Sequence, residues 1–287
     1  MKKINYVSVH GGHSGEFVIH ARDQLEDIVK AYIKAGFEWV GITEHIPPEK
    51  DEFMTPDDVE AGLDSAKIKK TFAKYIKECK RLKEKYSRDI LIFTGFETEN
   101  WSGYKNFVQS LIKKFKPEYI VGSLHQVSDM QFDYSVDNYK KAAEMLGGYD
   151  AMYCKYFDEQ HKMILDLKPA VVGHFDLIRI FDPDYRKRIK KKEIWDRITR
   201  NLELIKQFDL IMDFNLRALS KGADEPYISA DILKKAKQLG IKVVPGDDSH
   251  CIKDIGINMD RGINILKNNG FNTDWPKPRR LYNYLQL

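Results

Sequence analysis

Long hydrophobic runs are missing from this chain of 287 residues. No stretch approaches the roughly 18 apolar residues that a membrane-spanning helix needs, so a soluble protein with no membrane partner is expected. Cysteine is also scarce. Cys79, Cys154 and Cys251 are odd in number, far apart and in no CxxC pair. That argues against a disulfide framework and a thiolate zinc site, and suits a reducing cytoplasm. Met1-Lys2-Lys3 has a signal-like charge, but polar Asn5, Ser8, His10 and His13 interrupt any apolar stretch behind it, so no export signal is expected. Charge of one sign is nearly absent: 47 Lys plus Arg against 43 Asp plus Glu leave +4, too little for a dedicated nucleic-acid binder. No Gly/Ser-rich or Pro-rich linker, low-complexity tract or fixed-period repeat interrupts the chain, so residues 1–287 are expected to form one domain. With 43% hydrophobic and 12% aromatic residues, the chain can build a sizeable core.

What is present is an alternation. Seven short apolar runs recur: Tyr6 to Val9, Trp39 to Thr43, Ile90 to Thr94, Tyr119 to Gly122, Ala170 to Gly173, Leu210 to Phe214, and Lys242 to Val244. Each is short enough to be a strand buried on both faces. Between them lie segments with helical spacing, at Gln24 to Ala35, Ile68 to Tyr86, Tyr104 to Phe115, Met152 to Leu167, Ile194 to Phe208, Ser229 to Leu239 and Asp260 to Asn269. This is the pattern of βα units around a parallel sheet. Gly36, Gly240 and Gly270 fall where helix C-caps belong, and Ser229 reads as an N-cap. The acid- and proline-rich segment Pro47 to Asp64 follows a strand end and reads as an active-site loop or lid. The basic run Arg186 to Lys192 leads into an amphipathic helix and reads as a solvated helix start rather than a nucleic-acid patch.

The eight histidines are not scattered. His10, His13, His45, His125, His174 and His250 stand just beyond predicted strands and His20 lies in the first loop, whereas His161 sits inside a predicted helix and is left aside. In a βα barrel such positions converge on one face. Glu44, Glu97, Asp176, Asp247 and Asp248 occupy the same ground. Imidazoles mixed with carboxylates form the ligand set of zinc, manganese or iron, and one carboxylate can bridge two ions. Seven imidazoles on one face would be costly without a cation to organise them, so a polynuclear metal site is expected. Arg179 and Arg217 lie nearby, where guanidinium groups suit a phosphate dianion.

These residues resemble the PHP (polymerase and histidinol phosphatase) metal-dependent phosphoesterases, and within them the histidinol-phosphate phosphatases. The resembling segments are His13-Ser14-Gly15-Glu16-Phe17 with His20, Gly41-Ile42-Thr43-Glu44-His45-Ile46-Pro47, Thr94-Gly95-Phe96-Glu97, Gly122-Ser123-Leu124-His125, Gly173-His174-Phe175-Asp176 and Asp248-Ser249-His250. The resemblance implies an α/β fold, a distorted seven-stranded (β/α)7 TIM-like barrel. It implies two to three divalent transition-metal ions held by His13, His20, His45, Glu97, His125, His174, Asp248 and His250, with Glu97 as a bridge. It also implies phosphate contacts from Arg179 and Arg217, with Ser249 beside them on the substrate side. One motif departs: the family's His-x-His is here His10-Gly11-Gly12-His13. Residues three apart on a strand do not share a face. Either a bulge at Gly11-Gly12 returns His10 to the site as a further ligand, which is the favoured reading, or His13 acts without it.

The implied activity is hydrolysis of L-histidinol phosphate, a small phosphorylated substrate, to L-histidinol and phosphate in histidine biosynthesis. Metal ions answer the repulsion of a phosphate dianion by supplying hydroxide near neutral pH and offsetting phosphoryl charge. The leaving oxygen's proton could come from Asp176, Asp247 or a metal-held water. Rivals are a PHP enzyme acting on nucleotides, nucleic acid or another phosphate ester, and a non-catalytic metal-binding protein.

Overall fold

The β-branched and aromatic runs become strands because both of their faces are covered, one by the barrel lumen and one by helices. The computed structural model describes residues 5–278, so Met1-Lys2-Lys3 lies outside the described residues. Its strands are β1 (Tyr6–Gly11), β2 (Phe37–Ile42), β3 (Leu91–Glu97), β4 (Tyr119–Gly122), β5 (Gln126–Val127), β6 (Met130–Gln131), β7 (Val171–Val172), β8 (Ile211–Asn215) and β9 (Lys242–Gly246). Seven form one parallel sheet in the order β1-β2-β3-β4-β7-β8-β9, while β5 and β6 make a separate antiparallel hairpin. The far edge returns to the near one: Asp248 donates its backbone N–H to His10 O at 2.9 Å, and Asp247 donates its own to Ser8 Oγ at 3.1 Å. The result is the expected seven-stranded, nearly closed barrel.

The lumen is a packed core. Val7, Val9, Trp39, Phe93, Tyr119 and Val244 belong to one buried cluster drawn from different strands. Tyr119 donates its hydroxyl to Val9 O at 2.7 Å across the lumen. Gly41 makes room for that ring: a Cβ there would lie 1.7 Å from Tyr119 Oη. Gly41→Ala is therefore expected to destabilise the protein by about 1–3 kcal/mol through overpacking, read in urea denaturation; unchanged stability would mean that the ring has room to move.

The seven expected helices are all present within a few residues, and each buries one apolar face. In Ser65–Lys85, Asp64 caps the start by accepting from Lys67 N–H, and Lys83 and Lys85 lie in the last turn, opposite in sign to the C-terminal dipole. Phe72, Tyr75, Ile76, Cys79 and Leu82 form its buried stripe. Gly36, Gly240 and Gly270 take left-handed φ just past their helices, as expected of C-caps. Ser229 stands at its N-cap position, but its hydroxyl donates to Asp176 instead of capping the helix. The helix Val136–Met145 was not expected; its inner face is Tyr139, Ala142 and Ala143, too slight an apolar stripe to read from sequence. No described helix is long and apolar enough to cross a membrane.

The segment 47–64 is more ordered than a loop. It holds a 3-10 turn at Asp51–Phe53 and a short helix, Pro56–Glu60, started by a reciprocal cap between Thr55 and Asp58. The basic run is neutralised in place. Arg186 pairs with Asp224 and Glu225, Lys187 with Asp184, Arg188 with Asp150 and Asp182, Lys190 with Asp231, Lys191 with Asp150, and Lys192 with Asp196. A surface whose cations already face acids is a poor polyanion track, which agrees with the solvated-helix reading.

Candidate metal centre

The C-terminal ends of the strands deliver their histidines and acids to one end of the lumen. His10 joins them through an irregularity in β1. Ser8 pairs with Val40 and Gly11 with Ile42, so three steps on β1 match two on β2. The extra residue lies between Ser8 and Gly11, at Val9-His10 rather than at the expected Gly11-Gly12. It turns His10 inward on the same side as Val9, the usual effect of a bulge. Of the two glycines only Gly12 takes a left-handed φ, +77°. Gly11 is needed for space instead, because a Cβ there would lie 2.5 Å from Asp247 Oδ1 and 2.6 Å from Tyr32 Oη.

Glu97, at the end of β3 and 1% exposed, is the hub. Its Oε1 lies 3.1 Å from His125 Nε2 and 2.8 Å from His174 Nε2. Its Oε2 lies 3.1 Å from His10 Nε2, 3.3 Å from His45 Nε2 and 3.9 Å from His13 Nε2. Asp248 Oδ1 approaches His13 Nε2 to 3.1 Å. His13, His20, His45 and His250 form a second group whose ligand atoms lie within 4.8 Å of one another, and it shares His13 and His45 with the surroundings of Glu97. His20 completes it from the exposed rim, its ring 5.1 Å from that of His45 and 5.2 Å from that of His250. Asp248 itself holds a left-handed φ of 46°, a strained backbone for a non-glycine residue.

Around this hub the imidazoles are pinned from behind. His10 Nδ1 meets Asp213 Oδ2 at 2.8 Å, His13 Nδ1 meets Glu44 Oε1 at 2.8 Å, His45 Nδ1 meets Glu99 Oε1 at 2.9 Å, His125 Nδ1 meets Asp133 Oδ2 at 2.8 Å, and His250 Nδ1 meets Asp248 O at 2.9 Å. A proton on each Nδ1 fixes the tautomer that leaves the Nε2 lone pair for a metal. His10 Nε2 and His13 Nε2 are buried and, among the described residues, have no aligned hydrogen-bond partner. Orphaned nitrogens converging on a shared carboxylate are what a cation site requires, so the residues fit divalent ions.

The electrostatics agree. Burial alone would raise the pKa of Glu97, but His10, His45 and His125 hold it well below the usual carboxylate range. Burial would lower His13, yet its hydrogen bonds to Asp248 and Glu44 push it up to about 9. Carboxylates this buried demand positive charge, which protons or metal ions can supply. Asp213→Asn should weaken the hold on His10 and lower metal affinity by about tenfold to a hundredfold. Titration of the chelated protein with zinc reads this, and unchanged affinity would show that the Asp213 contact is idle.

A cavity of about 550 Å³ opens over the cluster. Arg217 lines it, held by a bond from its guanidinium to Asp248 O at 3.0 Å. So do Pro48, Phe53, Thr55 and Leu63 of the 47–64 segment, with Phe17, Ile19, Phe72 and Trp101.

A family model described as the PHP domain matches residues 11–217. A Schizosaccharomyces pombe relative named "Probable histidinol-phosphatase" is 34% identical over 256 residues, which is 88% of this chain and 83% of the relative. The chain belongs to the PHP family, among the histidinol-phosphatases. The crystal structure of a Listeria monocytogenes protein to which the same activity has been ascribed matches this PHP barrel with a TM-score of 0.79, at 25% identity over 89% of this chain and 99% of that one. A Lactococcus lactis histidinol phosphate phosphatase, solved with zinc, L-histidinol and phosphate, has the same fold, with a TM-score of 0.71 at 20% identity over 94% and 95% of the two chains.

The geometry engages four of the expected site residues, Asp176, Arg179, Asp247 and Ser249, with partners away from the lining of the cavity. Asp176 is fully buried and accepts from Ile228 N–H at 3.1 Å, Ser229 N–H at 3.0 Å, Ser229 Oγ and Arg179 Nε at 3.2 Å, so it ties a loop rather than facing the cavity. Arg179 is spent on the same loop: it donates to Glu225 O at 3.0 Å and Pro226 O at 2.6 Å, between the rings of Tyr185 and Tyr227. Asp247, just past the end of β9, turns towards Ser8 and Tyr32 rather than the histidines. It accepts from Ser8 Oγ at 2.6 Å and Tyr32 Oη at 2.9 Å, and burial pushes its pKa up to about 6. Ser249 lies 2.7 Å from Tyr32 Oη on that same side, and contributes its carbonyl to His13 N–H. Glu99, Asp133 and Asp213 were missed. A carboxylate inside the buried strand run Leu210 to Phe214 was a signal for Asp213, and spacing of two from Glu97 was a signal for Glu99; Asp133 left none. His161 lies in the helix Tyr149–Leu167 and in none of the histidine groups.

Proposed function

We propose that this protein hydrolyses L-histidinol phosphate to L-histidinol and phosphate in histidine biosynthesis, using two to three zinc, manganese or iron ions. The ligands in this reading are His10, His13, His20, His45, Glu97, His125, His174, Asp248 and His250. The observation that carries it is the Glu97 carboxylate ringed by five imidazole Nε2 atoms, both of its oxygens engaged and on different histidines.

Bound divalent ions supply an activated water near neutral pH and offset charge on the phosphoryl oxygens. The protein's own part is preorganisation. The carboxylates behind His10, His13, His45 and His125 hold the rings, so little needs to move as charge develops on the substrate. Arg217 reaches the cavity as a rigid cation for a phosphoryl oxygen. Phe17, Phe53, Phe72 and Trp101 give the cavity flat apolar walls, which suit the imidazole of the substrate. The contacts of Asp176 with the Ile228–Ser229 loop and of Asp247 with Ser8 and Tyr32 favour a metal-held water over either acid as the proton donor to the leaving oxygen. Cys79, Cys154 and Cys251 are unpaired, which supports the cytoplasm as the place of work.

The test is phosphate release by metal-reconstituted protein from histidinol phosphate, nucleotides and sugar phosphates. The highest kcat/KM is expected for histidinol phosphate. Preference for a nucleotide would move the protein to another PHP activity, and no release from any ester would favour a metal-binding role.

A further inference from the structure

With Arg179 tied to backbone carbonyls, the cavity needs another partner for the second negative charge of a phosphate dianion. We propose that Lys221 is that partner and grips the substrate phosphate together with Arg217. The proposal rests on the phosphoesterase reading above and was not legible in the resembling motifs.

Three observations converge on it. Lys221 lines the cavity alongside Arg217, Asp248 and His250. It follows Arg217 by one helical turn as the C-cap of the short helix Arg217–Ser220, its N–H donating to Arg217 O at 3.1 Å, which puts the two residues on one side of that turn. Its ammonium group has no ion pair or hydrogen bond among the described residues, whereas Arg217 is held by Asp248 O and lies 3.6 Å from Asp254. Desolvation at the wall, and next the charge of Arg217, lower the pKa of Lys221, although Asp248 and Asp133 act against them. Two neighbouring cations on one wall of the cavity, one of them without a partner among the described residues, form a site for an anion. The division of labour is chemical: Arg217 is a fixed planar fork, and Lys221 is a mobile point charge on an exposed stem that can follow the phosphoryl group.

The experiment measures binding of inorganic phosphate to the zinc-reconstituted protein by calorimetry, with zinc content checked in every variant. Lys221→Met is expected to weaken phosphate binding about tenfold or more. Zinc content and affinity for L-histidinol, which lacks the phosphate, should stay unchanged. KM for histidinol phosphate should rise more than kcat falls, and Lys221→Arg should recover most of the loss. Phosphate affinity in Lys221→Met equal to the wild type, while Arg217→Met loses it, would overturn the proposal and leave Lys221 a solvated bystander. Failure of the zinc-loaded wild type to bind phosphate is a different result: it would overturn the phosphoesterase reading, and the role of Lys221 with it.

Discussion

Glu97→Gln is expected to strip metal from the centre and abolish phosphate release while leaving the barrel folded. Glutamine keeps the shape and the packing at the end of β3 but removes the negative charge. That charge is what five imidazoles converge on, at 2.8 to 3.9 Å. A partner behind a ligating histidine is typically worth tenfold to about a hundredfold in metal affinity. In the proposed reading Glu97 would serve more than one ion at once, so the loss should exceed about a hundredfold. Elemental analysis after reconstitution, phosphate release and far-ultraviolet circular dichroism together read the outcome. Wild-type metal content and rate in this variant would show that Glu97 bridges nothing.

The barrel was legible because its signal is periodic. Each strand run is apolar on both faces, each helix carries one buried stripe, and the count of seven already limits the ways a parallel sheet can close. The histidines were legible for a related reason: strand ends converge in a βα barrel, so linear positions become a spatial cluster. Direction was harder to read. His10 depends on one extra residue in β1, and the pair of glycines drew attention too far along the strand. Asp247 and Asp248 show the same difficulty: they are adjacent past the end of β9, yet Asp247 meets Ser8 and Tyr32 while Asp248 meets His13, and the left-handed backbone at Asp248 leaves no periodic pattern to read. Arg179 and Arg217 were indistinguishable as sequence, both cations just past strands. What separates them is that carbonyls of the Glu225–Ser229 loop come within reach of Arg179, a contact between segments 46 and 47 residues apart that no local pattern encodes. Lys221 had no motif to announce it and emerges only from the wall of the cavity.

The loop contacts of Asp176 carry a large effect of their own. Asp176→Ala is expected to destabilise the protein by about 3–5 kcal/mol, because it leaves Arg179 as an uncompensated buried charge. Arg179 is 5% exposed, and the carboxylate of Asp176 is its only ion pair among the described residues. The N–H groups of Ile228 and Ser229 lose their acceptor in the same step. Ile228 holds a φ of +63°, an unfavourable conformation for a β-branched residue, so the loop has reason to relax once that acceptor is gone. Tyr227, which this loop presents to the cavity, should then shift and raise KM for the substrate. Urea denaturation of the chelated protein isolates the loss from any contribution of bound metal. Asp176→Asn should fall between, since it keeps one acceptor oxygen and the shape but not the charge. A catalytic acid would behave in the opposite way, with stability intact and kcat alone reduced. That outcome would return Asp176 to the reaction and remove it from the clamp that holds Arg179 and the Glu225–Ser229 loop together.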